Sequence, residues 1–106
     1  MTQTATLQSH LTAMNDELKA ALQKRDADAK VHINAAIQHA QAANVELKAE
    51  AAGNNAKVKQ QAEQTMKHLH ELTENGKIAL GEAGDALHER VDTMIDHAKK
   101  AIQSHR

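Results

Sequence analysis

Apolar residues return along this chain at helical spacing. Leu7, Leu11, Met14, Leu18 and Leu22 recur every three or four positions near one end, and Leu87, Val91, Met94, Ile95 and Ile102 do the same near the other. That spacing places side chains on one face of an α-helix. Stepping by eleven from Met14 gives Arg25, Ala36, Leu47, Val58, Leu69, Leu80, Val91 and Ile102, and seven of these nine positions are large and apolar. A neighbouring register, Leu7, Leu18, Ala29, Ala40, Ala51 and Ala62, supports the first half and decays through Thr73 and Gly84. An 11-residue period corresponds to about 3.67 residues per turn and predicts a straight or right-handed seam. Proline is absent, and the abundant Ala, Gln, Glu, Lys and Leu lose little freedom on a helical backbone. The expected fold class is all-α, in a single domain over residues 1–106.

Where the helix breaks decides which faces are buried. Gly53-Asn54-Asn55 sits at the midpoint, with a natural C′ glycine and a natural N-cap asparagine. Glu46 and Glu50 before it and Lys57 and Lys59 after it oppose the helix macrodipole at such a turn, at a cost of about 0.3–1 kcal/mol per exposed charge. The 11-residue register also crosses the site without a phase jump, as a continuous rod would. Compactness favours a hairpin: one helix over about 5–52 and another over about 56–104, each roughly 72 Å long at about 1.5 Å per residue. A second break near 75–76, with Gly81 and Gly84 close behind, would give three helices. In the hairpin the two terminal clusters fall at the same end and pack together. Pairing of two hairpins then completes an antiparallel four-helix bundle, so a homodimer is expected, self-associating through Leu7, Leu11, Met14, Leu18, Leu22, Leu87, Val91, Met94, Ile95 and Ile102.

Composition narrows the chemistry. The chain has 9 Leu, 5 Ile, 4 Val and 4 Met against 21 Ala, so the supply of large apolar side chains is thin and helices can approach closely. Without cysteine there is neither disulfide nor thiolate chemistry. Without aromatic residues there is no platform for stacking bases, and the formal net charge of −1 offers no basic stripe, so nucleic acid is not an expected partner. The missing Trp and Phe make a membrane surface the weaker use of the amphipathic faces, with partner helices the stronger. No apolar run approaches a membrane span and the first residues lack a signal-peptide pattern, giving a cytoplasmic expectation.

Eight histidines are the one compositional feature that invites a chemical reading. Asp28 with His32, His68 with Glu71, His70 with Glu74, and His88 with Asp85 and Asp92 stand three or four residues apart, so each pair shares a helix face and offers two donors to a divalent ion. His68, His70, Glu71, Glu74, Asp85 and His88 are the candidate ligands, although the di-iron, HExxH and EF-hand patterns are all missing. Exposed helix residues explain the same spacing, so no resident metal or cofactor is expected. Protonating all eight would add eight charges, which makes pH sensing a further reading. Ser9-His10 and Ser104-His105 are sequence neighbours that diverge on a helix, and NGKIALGEAG lacks Walker spacing, so an enzyme is not expected.

The stretch ELKAEAAGNNAKVKQQAEQTMK, with the 11-residue register and the missing aromatics, resembles group 3 late embryogenesis abundant proteins and the wider set of 11-residue-repeat helices that includes exchangeable apolipoproteins. The resemblance implies a stress-protective protein that becomes helical on drying or on a membrane surface. The terminal clusters are too regularly apolar for a chain meant to stay unfolded. The reading taken forward is a non-enzymatic helical interaction or scaffold protein that self-associates, with the stress-protective protein and a His/carboxylate metal binder as alternatives.

Overall fold

In the computed structural model, which describes the backbone of residues 3–105 and side chains from residue 7, the chain forms four α-helices. These are α1 (Gln3–Leu22), α2 (Asp26–Ala51), α3 (Ala56–Ala79) and α4 (Gly84–His105). Among the described residues there are no strands. α1 packs on α2 and α4, and α3 packs on α2 and α4, while α2 and α4 touch only slightly across the diagonal. Short connections between successive neighbours give an up-down-up-down four-helix bundle. Its principal extents are 46 × 23 × 17 Å.

The midpoint turn lies at 52–55, as its residues suggest. Ala52 closes α2, and the Asn55 side chain caps α3 by accepting hydrogen bonds from the backbone N–H of Lys57 at 3.0 Å and Val58 at 3.2 Å. The unfavourable Glu50 at the end of α2 is matched by His105, whose Nε2 lies 3.5 Å from its carboxylate.

Two expectations about breaks need correction. The segment 5–52 is not one helix, because it turns at Gln23-Lys24-Arg25. The break near 75–76 is displaced: Asn75 and Gly76 lie inside α3, and the chain turns at 80–83 instead. Gly76 is a packing residue, since a Cβ there would meet Ile37 Cδ1 at 2.8 Å and Met94 Cε at 2.9 Å. Asn75 is held on the helix surface by Arg90, whose Nη1 donates to Asn75 Oδ1 at 2.9 Å. The 11-residue register is not one seam either: Arg25 falls in a turn, and Val58 is only half-buried.

A different regularity governs the core. Each of the twelve buried positions on α1 and α2 has a buried counterpart 58 residues later: Leu7 with Thr65, Leu11 with Leu69, Met14 with Leu72, Leu18 with Gly76, Ala21 with Ala79, Ala29 with Leu87, Ile33 with Val91, Ala36 with Met94, Ile37 with Ile95, Ala40 with Ala98, Ala43 with Ala101, and Leu47 with His105. The positive-φ residues follow the same offset. Asp26 (φ 45°) opens α2 and Gly84 (φ 61°) opens α4. The bundle is therefore two equivalent hairpins, α1–α2 and α3–α4. Volumes are traded between them: Leu18 and Ala36 in the first correspond to Gly76 and Met94 in the second, so the large residue moves from one helix of the hairpin to the other.

This core removes the physical reason for requiring a second chain. Leu7, Leu11, Leu18, Leu47, Leu69, Leu72 and Leu87 are all 2% exposed or less within one chain, and each such burial stabilises by about 1.5–3 kcal/mol. The terminal clusters do pack together, but inside the molecule, where α1 meets α4.

Candidate functional site

The residues assigned above to self-association are core. Leu7, Leu11, Met14, Leu18, Leu87, Val91, Met94 and Ile95 are buried, and Leu22 and Ile102 pack against them in partly buried positions. A surface for partners has to be sought elsewhere. Among the described residues Val31, Val45 and Ile78 are the large apolar side chains that stay exposed, at 65%, 69% and 50%. Val45 borders a cleft of about 570 Å³ between α2 and α3, floored by Ala40, Met66 and Leu69 and rimmed by Gln41, Asn44, His70, Thr73, Glu74 and Lys77. Across the bundle two offset positions are polar, Gln8 on α1 for Met66 and Gln103 on α4 for Val45, while Ile102 stands for Asn44. Gln8 is engaged with the buried His105, its Nε2 lying 3.5 Å from His105 Nδ1. The exposed valine and the methionine below it thus belong to the α2–α3 side alone.

The candidate metal ligands do not converge. Among the described residues no group of three or more His, Asp, Glu or Cys is placed to hold an ion. His70 and Glu74 rim the α2–α3 cleft, where Glu74 Oε2 is 3.5 Å from Lys77 Nζ. His88 and Asp85 lie at the start of α4, beside Arg25 and Asp26 in a smaller cleft of about 310 Å³. There His88 Nε2 lies 3.2 Å from the Lys24 carbonyl, joining α4 to the first turn. His32 turns away from Asp28 to Glu17 on α1, whose Oε1 is 2.7 Å from Nδ1. Because an ionised carboxylate only accepts, Nδ1 carries the proton in that bond.

Two histidine pairs went unnoticed in the sequence. His10 on α1 and His39 on α2 stand with ring centres 6.2 Å apart and planes tilted by 37°. Their counterparts 58 residues on are His68 on α3 and His97 on α4, again close enough to interact electrostatically. The His68 imidazole is pushed below its usual pKa by partial burial and then by the charges of His97, Lys100 and Lys67. Lys100 is itself 3.1 Å from Asp96, and that bond holds the Asp96 carboxyl below the usual carboxylate value. The signal that finds both pairs is the 58-residue self-comparison, which is invisible to a search for ligands three or four residues apart.

No helix among the described residues is long and apolar enough to cross a membrane. No family model, curated protein or solved structure matches the chain.

Proposed function

We propose that the protein is a non-enzymatic α-helical interaction module that self-associates, and that the surface it uses is the α2–α3 face. The observation that carries this reading is Val45, 69% exposed beside the Met66–Leu69 floor of the cleft, where the other side of the bundle has Gln103 and Gln8. Exposed valines cost little singly, but one grouped with a methionine over a groove suits a helix packed from outside. The rim carries both signs of charge, Glu74 and Lys77. A twofold contact places each sign against the other copy's opposite sign, so the surface is self-complementary.

The test is light-scattering mass measured over a range of concentrations for the wild type and for Val45→Asp, with circular dichroism confirming that both are helical. A dimer that appears with concentration and disappears in the variant supports the reading. A monomer at every concentration refutes self-association, and a dimer unaffected by the substitution refutes the α2–α3 face.

A further inference from the structure

The two hairpins agree in few surface residues. Over the matched positions the identical polar residues are Gln3 and Gln61, Lys19 and Lys77, His10 and His68, and His39 and His97. Of these, His10 and His39 meet across a helix–helix contact. Equivalent core positions tolerate exchanges as large as Leu18 for Gly76, yet a pair of imidazoles at one level of the hairpin stands in both halves.

The first pair has the dimensions of a two-imidazole site. A borderline divalent ion binds a ring nitrogen at about 2.0–2.1 Å, and two rings bound to one ion have centres roughly 5–6.5 Å apart, depending on the nitrogen–metal–nitrogen angle. His10 and His39 stand at 6.2 Å, so they must close by about 1 Å to reach the roughly 5.2 Å that a tetrahedral ion sets. Both are half-buried, so the rings are steadied by the helices and still reachable from water. Imidazole nitrogen suits zinc, copper and nickel ions rather than magnesium or calcium.

Charge separates the two pairs. Beside the second pair stand Lys67 and Lys100, which act on His68, and Asp96, which pairs with Lys100 at 3.1 Å. At the offset positions beside the first pair stand Ser9 and Ala42, which carry no charge. We propose that His10 and His39 form a binding site for a divalent ion of the zinc–copper class, with water filling the remaining coordination positions. The site is independent of the α2–α3 cleft and of self-association.

Zinc chloride titrated into the full chain by calorimetry, with the melting temperature followed in parallel and reversed by a chelator, tests the site. The variants are His10→Gln, His39→Gln, His68→Gln and His97→Gln, each checked for helicity. The expected result is one ion per chain, a rise in melting temperature because the ion ties α1 to α2, and loss of both effects in His10→Gln and His39→Gln alone. The absence of binding, binding that survives His10→Gln and His39→Gln, or equal losses from all four histidine variants would each overturn the proposal.

Discussion

Gly76 on α3 faces Met94 on α4 so closely that a Cβ at residue 76 would stand 2.9 Å from the Met94 Cε. The matching level of the first hairpin solves the same problem the other way, with Leu18 on α1 and Ala36 on α2. Gly76→Ala therefore sets two effects against each other. Alanine gains about 1 kcal/mol of helix propensity over glycine, while overpacking against Ile37 and Met94 costs about 1–3 kcal/mol. The net expectation is a loss of about 1 kcal/mol in urea unfolding. A Gly76→Ala variant more stable than the wild type would show that Met94 and Ile37 move aside freely.

The residues that open α2 and α4 share a left-handed backbone but not a side chain. At φ 61° Gly84 is at ease, and its Cβ position is open, so Gly84→Ala should lose about 1 kcal/mol from backbone strain alone. Asp26 at φ 45° bears that strain already. Asp26→Gly should stabilise the fold, by about 0.5–1 kcal/mol. Opposite shifts in thermal midpoint for the two variants are the outcome to look for.

Removing the Asn55 carbonyl oxygen leaves the N–H groups of Lys57 and Val58 without their cap. Asn55→Ala should cost about 1 kcal/mol, seen as faster amide exchange in the first turn of α3. Protection unchanged at Val58 would mean that water replaces the cap at no cost.

His68 gives the fold a defined response to acid. Its pKa lies below the ordinary 6.5, through burial and the neighbouring positive charges, so below that value the unfolded chain binds a proton that the folded chain resists. Stability from this group is intact above pH 6.5 and falls as the pH drops through the unfolded value towards the folded one. Titration followed by NMR should find the His68 midpoint below 6.5, and Lys100→Gln should raise it. A midpoint unmoved by Lys100→Gln would remove that lysine from the cause.

The parts of the fold legible in the sequence are those written in local chemistry. The apolar spacing of Leu7 to Leu22 and of Leu87 to Ile102 marks helices and core, and Gly53-Asn54-Asn55 marks a turn. The first turn escapes such a reading because Gln23-Lys24-Arg25 contains neither Gly nor Pro and each residue is a good helix former. What breaks the helix there is tertiary: burying Ala21 on α1 and Ala29 on α2 in one core requires the chain to reverse between them. Asn75-Gly76 misleads for the converse reason, since a glycine required for close packing carries the same letter as one required for a turn. The histidine pairs lie far apart in sequence and are joined only by helix pairing, so spacing rules built for one helix miss them.

The ends of α1 and α4 meet at the pole that also carries the midpoint turn, where Gln8 reaches His105 and His105 reaches Glu50. Whatever adjoins Gln3 and His105 in a larger assembly therefore leaves from one pole. A pull applied through the two ends opens α1 from α4 contact by contact, as a zip, rather than shearing their whole length at once.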